Sequence, residues 1–79
     1  MQKSKLKWQC RRGMRELDDL LLAYASDCYD AAVPDEKAAF EALLSLPDPE
    51  IAAYLLKKKD PEQARISHVV QQILQHNTS

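Results

Sequence analysis

Apolar residues recur along this chain in short bursts spaced three and four apart. Met14, Leu17, Leu20, Leu21, Tyr24 and Cys28 fall on one stripe, which Leu22 and Ala25 widen; that period marks an amphipathic helix reaching about Cys28. A shorter burst precedes it, with Leu6 and Trp8 on a first helix that Ser4 caps and Gly13 closes. Gly13 suits a helix C-cap because glycine enters the left-handed conformation without penalty. After a connection at Ala31 to Val33, Pro34, Asp35 and Glu36 open a third helix with Phe40, Leu43 and Leu44 inward, and Pro47 stops it. A proline and acids belong in a first helical turn, where the free N–H groups and the positive dipole end favour them.

Two further start signals share the same wording, Asp48-Pro49-Glu50 and Asp60-Pro61-Glu62. Each reads as an Asp N-cap, a proline at the first helical position and an acid behind it. Gln63 turns the second into a box of the Asp-x-x-Gln kind. The fourth helix then carries Ile51, Tyr54 and Leu55, with Lys57 to Lys59 at its negative end, and the fifth carries Ile66, Val69, Val70, Ile73 and Leu74 before fraying from His76 to Ser79. The expected fold is all-α, a compact bundle of five short helices forming one domain over residues 1–79.

Composition narrows the functional classes. The 79 residues include eleven Leu and ten Ala against three Val and three Ile, which favours helix over strand. A chain this small buries only about 60% of its unfolded surface, so neither a second domain nor a large catalytic cleft is expected. No apolar run exceeds six residues, the length of Leu20 to Ala25, short of the roughly 20 of a membrane span and the 7–15 or so of a secretory signal. Two cysteines, Cys10 and Cys28, are too few for a disulfide scaffold and read as small apolar fillers in a reducing bacterial cytoplasm.

Charge is uneven although the net value is -1. Residues 1–15 hold six basic side chains and no acid, and residues 16–50 hold ten acids and one base, Lys37. This polarity either steers the chain onto a partner in one orientation or lets its ends fold against an acidic middle. Nucleic acid is not an expected partner, because the acidic region would repel the phosphates that the basic one attracts.

Catalytic chemistry finds little support. Cys10, Cys28, His68 and His76 match no zinc spacing, and Ser67 and His68 are neighbours whose side chains diverge by about 100 degrees on a helix. One glycine in the chain leaves no phosphate-cradling loop. The segment that packing leaves unexplained is Cys10-Arg11-Arg12-Gly13-Met14-Arg15-Glu16-Leu17-Asp18, next to the sole tryptophan, Trp8. Three guanidinium groups beside a tryptophan suit an interface that grips carboxylate or phosphate. A structural reading stands beside it: Gly13 as a cap, Glu16 at a helix start, and Arg12 paired with Glu16.

The run Trp8-x-Cys10-Arg11-Arg12-Gly13-Met14-x-Glu16-Leu17-Asp18 resembles the signature of the SdhE family, whose hallmark is Arg-Gly-x-x-Glu; here Arg12, Gly13 and Glu16 occupy it. The likeness continues through Tyr29-Asp30, Asp35-Glu36-Lys37, Phe40-x-x-Leu43-Leu44 and Asp48-Pro49-x-x-x-x-Tyr54-Leu55. Tyr54 stands where tryptophan is common, Pro34 replaces a hydroxyl-type cap, and no long tail follows Ser79. The family comprises small helical FAD assembly factors of succinate dehydrogenase. The resemblance implies that the chain binds the flavoprotein subunit of that enzyme, and in bacteria of fumarate reductase, and promotes covalent attachment of FAD to a histidine there.

It further implies a non-enzymatic monomer that is cytoplasmic, binds no cofactor stably and inserts into no membrane, with FAD attached to the partner. Its partner-binding residues would be Arg12, Gly13 and Glu16, with Lys5, Trp8, Arg11, Met14 and Asp18 around them. Arg12 and Glu16 would make polar contacts across the interface, Gly13 would set the junction and allow close approach, and Trp8 would lie either in the core or at the interface. The family has also carried an antitoxin label, which leaves a regulatory binder of a toxin or other cytoplasmic client as the alternative.

Overall fold

A computed structural model describes residues 3–78, with the side chains of Lys3, Ser4 and Thr78 and all of Met1, Gln2 and Ser79 outside the described set. Five helices follow in order: α1 Lys3–Gln9, α2 Arg15–Asp27, α3 Pro34–Leu44, α4 Asp48–Leu55 and α5 Ala64–Thr78. The expected all-α bundle is therefore the observed one, with no strand among the described residues. No helix among them is long and apolar enough to cross a membrane.

The inward stripes fuse into one buried cluster. Leu6 and Cys10 enter it from the α1 region, Leu17, Leu21, Tyr24 and Ala25 from α2, Phe40, Leu43 and Leu44 from α3, Ile51 and Leu55 from α4, and Ile66, Val69, Val70 and Ile73 from α5. The last helix packs on both α2 and α3, while α1 lies against α2. Phe40 sits at the centre of an aromatic group, 4.6 Å from the Tyr24 ring and 5.9 Å from that of Tyr29. Truncating such a ring to alanine costs about 3–5 kcal/mol, so Phe40 anchors the position of α3.

The buried tyrosines keep their polar ends satisfied. Tyr24 Oη donates to Glu36 Oε2 at 2.6 Å and Tyr29 Oη to Glu41 Oε2 at 2.6 Å. The second oxygen of Glu36 meets His68 Nε2 at 2.9 Å, which links α2, α3 and α5 through one carboxylate. Lys37 Nζ lies 5.4 Å above the Tyr29 ring.

Several helix ends differ from expectation, each for a local reason. Helix α1 begins at Lys3, so Ser4 lies inside it and not at its cap. It finishes before Gly13, because Cys10 N–H bonds to Lys7 O at 3.1 Å and Arg11 N–H to Trp8 O at 3.2 Å, tightening the last turn. Met14 does not begin the α2 stripe: it is the extended residue ahead of α2, at φ -116 and ψ 109, and its side chain is 41% exposed.

Pro47 caps α4, its carbonyl accepting from the N–H groups of Glu50 and Ile51, and Asp48 is the first helical residue. The Asp60-Pro61 signal does not start α5. Gln63 O accepts the Ser67 N–H at 3.0 Å and the helix begins at Ala64, because residues 60–63 carry the chain across from α4. At the far end α5 reaches Thr78, within the expected range, with His76 Nε2 2.9 Å from Asp27 Oδ2 and Asn77 Nδ2 donating to Ile73 O; Ser79 lies outside the described residues.

Candidate functional site

The segment between α1 and α2 is pinned at both ends and open between them. Cys10 before it and Leu17 after it are fully buried, whereas Arg11, Gly13, Met14, Arg15 and Glu16 are exposed. Gly13 has φ +81, and a Cβ built on it would meet nothing within 4 Å. Glycine is required here by backbone conformation, not by crowding, and the left-handed residue turns the chain into α2 instead of capping α1.

Trp8 on α1 is 73% exposed, which settles its place at the surface. Lys5, Lys7, Arg11 and Arg15 are also exposed. Glu16 lies in the first turn of α2, where the helix dipole favours a carboxylate, and among the described residues its side chain has no partner. From Trp8 to Glu16 the chain thus exposes an indole, several cations, a bare glycine backbone and a carboxylate that has no partner among the described residues.

Arg12 differs from its neighbours because its side chain is turned inward. Its Nη2 donates to the Leu44 carbonyl at the end of α3, and its Nη1 lies 3.5 Å from Asp48 Oδ1 at the start of α4. The backbone N–H of Arg12 donates to Asp18 Oδ1 at 2.6 Å. Nε is buried and has no partner among the described residues. The Arg12–Glu16 pair that spacing allowed is thus replaced by Arg12–Asp48, since α2 begins only at Arg15 and the two residues never share a helical face. Asp18 is half-buried and supports the turn from within.

Burial pushes the Cys10 thiol up to about 11, with Arg12 pulling against it and Asp18 reinforcing it. A neutral thiol in the core is an apolar filler and a poor nucleophile. Burial also raises the thiol of half-buried Cys28. A groove of about 450 Å³ is lined by residues of α3, α4, α5 and the α4–α5 connection, and shares no residue with the Trp8–Asp18 segment. The segment offers exposed side chains and backbone, which suits docking.

Sequence reasoning located the segment but missed Leu44 and Asp48 as the partners of Arg12. Asp48 had a sufficient explanation as a helix cap, and no local pattern joins residues 36 positions apart.

Residues 4–77 match the family described as flavinator of succinate dehydrogenase. The chain belongs to this family. It is 36% identical to the FAD assembly factor SdhE of Vibrio cholerae, over 99% of this chain and 91% of that protein. It is 39% identical to the FAD assembly factor SdhE of Colwellia psychrerythraea, over 91% of this chain and 79% of that one. The SdhE of Yersinia pseudotuberculosis is 35% identical over 95% and 85% of the two chains. The alignments span all five helices, so the family resemblance read from the Arg-Gly-x-x-Glu run holds along the chain.

Proposed function

We propose that this chain is a non-enzymatic FAD assembly factor that binds the flavoprotein subunit of succinate dehydrogenase, and of fumarate reductase, and promotes covalent attachment of FAD there. The observation that carries the reading is the exposed turn from Trp8 to Glu16, held between buried Cys10 and Leu17, in a chain of the flavinator family. A surface with an indole, cations and a carboxylate supplies binding energy and orientation. The bond would form within the partner, between FAD and a histidine of that subunit, and the acceleration would come from holding the partner in a competent geometry. In this reading Gly13 lets the partner approach the backbone closely and Glu16 accepts hydrogen bonds from it. Lys5, Trp8, Arg11 and Met14 form the rim.

The test is in-gel fluorescence of covalent flavin after mixing apo flavoprotein subunit, FAD and a dicarboxylate with this chain or its Glu16→Ala variant. A rise with the unsubstituted chain and a weaker rise with the variant support the reading. Equal flavinylation with and without the chain, in a subunit otherwise competent, overturns it.

A further inference from the structure

The Arg-Gly-x-x-Glu segment divides into one residue that faces inward and two that face outward, and we infer that Arg12 is a positioning residue. It clamps the α1–α2 turn to the α3–α4 corner so that Gly13 and Glu16 are presented in one fixed geometry. The inference deepens the binding role proposed above and rests on it.

Three contacts carry the inference. The guanidinium reaches the Leu44 carbonyl, one of the unsatisfied acceptors that every helix leaves at its negative end. The same group lies 3.5 Å from Asp48, the first residue of α4, so it bridges two helices at the point where the chain turns between them. On its other side, the Arg12 N–H is held 2.6 Å from Asp18 Oδ1. Backbone and side chain are therefore both tied immediately before the one residue in the segment at positive φ. Gly13 has more conformational freedom than any other residue type, and nothing lies within 4 Å of where its Cβ would be. No atom from elsewhere in the fold meets that position, so the hold on Gly13 comes through the clamp on the preceding residue.

Arginine fits this task better than lysine. Its planar fork serves a carbonyl and a carboxylate at once. With only 19% of its side chain exposed, Arg12 presents a partner with little of the guanidinium. Asp48, outside the hallmark, becomes part of the same device.

The experiment compares Arg12→Gln, Asp48→Asn, Asp48→Glu and the Arg12→Gln/Asp48→Asn double variant in the full chain. One readout is amide hydrogen exchange of the free protein, and the other is affinity for apo flavoprotein subunit. Asp48→Asn is expected to speed exchange at the Arg12 amide, which Asp18 holds, while leaving the core amides of Leu21 and Val69 unchanged, which loss of global stability would not do. It should weaken partner binding about threefold to tenfold, Asp48→Glu should restore binding, and the double variant should bind no worse than Arg12→Gln, as coupled residues do.

Asp48→Asn that binds like the unsubstituted chain while Arg12→Gln does not would overturn the inference in favour of direct contact. Exchange that rises equally at turn and core would overturn it in favour of a general stabilising role. No binding by the unsubstituted chain defeats the proposed function instead. Exchange then decides the clamp alone, and an unchanged rate at the backbone amide of position 12 in Arg12→Gln would overturn it.

Discussion

Among the described residues two sit in left-handed backbone, Gly13 at φ +81 and Lys58 at φ +57, and they hold their turns in opposite ways. At Lys58 the flanks are tied by backbone to their own helix: Lys57 N–H bonds to Ala52 O at 3.2 Å and Lys59 N–H to Ala53 O at 2.9 Å. That turn finishes α4, as left-handed residues commonly finish helices. At Gly13 the tie comes from other elements, through Asp18 of α2, Leu44 of α3 and Asp48 of α4. A helix end that satisfies itself needs no special neighbours and tolerates even a lysine. A turn held from outside commits several side chains to one geometry, which is what a recognition surface requires.

The change with the largest expected effect is Gly13→Arg. A non-glycine residue at this φ is strained by about 1–2 kcal/mol, yet no atom blocks it, so the free chain should fold with a modestly lowered urea midpoint. Partner affinity should fall by about a hundredfold or more, because bulk and charge then stand where the backbone was bare. Gly13→Asn, which tolerates left-handed geometry, should keep the stability and lose less of the binding. Titration calorimetry against the apo flavoprotein subunit reads both, and tight binding by Gly13→Arg would mean that this turn is not the docking surface.

Asp18→Ala should act on stability next. It removes the acceptor of the Arg12 N–H and a carboxylate from the start of α2, at a cost of about 1–2 kcal/mol in urea unfolding. No side chain at the Lys58 turn has an equivalent role, so alanine at Lys57 or Lys59 should change stability by less than about 0.5 kcal/mol. Equal losses at the two turns would break the comparison.

Alkaline pH separates the two regions further. Cys10, at the root of the Gly13 turn, is raised to about 11 by burial, and Tyr29 to about 12 by its hydrogen bond to Glu41. Both folded values lie above the ordinary ones of 9.0 and 10.0, so the folded chain retains protons that the unfolded chain releases. Their stabilisation is complete below about pH 9 and is lost as pH rises through 9 to 12. Thermal midpoints across that range should decline, and Cys10→Ala should flatten the first part of the decline between pH 9 and 11. An unaltered slope in that variant would show that the thiol is not linked to folding.

The difference between the turns also explains what could be read without coordinates. Helix number, helix order and nearly all inward positions follow from apolar spacing, because Leu17, Leu21, Tyr24, Phe40, Val69 and Ile73 leave no other way to bury a stripe. Gly13 was legible as a left-handed residue from its type alone, but its position outside a helix end was not, since the tight bonds closing α1 are made by backbone. Lys58 carried no signal at all: its conformation is imposed by the end of α4 on a residue that does not prefer it. The site segment was legible as a run of unusual composition. Its inward-facing member was not, because Arg12 takes its partners from Leu44 and Asp48, more than thirty positions away.

Lys58→Gly should have the smallest effect, and it sharpens the comparison most. Relief of the left-handed strain gains about 1 kcal/mol, and the added freedom of the unfolded chain offsets roughly half of that or more. The net expectation is a gain of up to about 0.5 kcal/mol, which for a chain of this size is a thermal midpoint higher by about 2–4 °C. The capping bonds of Lys57 and Lys59 use backbone only, so they survive the substitution. Partner affinity should be unchanged, because the α4–α5 connection contains none of the segment from Trp8 to Glu16. A stabilised variant with unchanged affinity would show that a left-handed residue here serves the helix end alone. A stabilised variant that binds the flavoprotein more weakly would instead make the exposed lysines of the α4–α5 connection part of the docking surface.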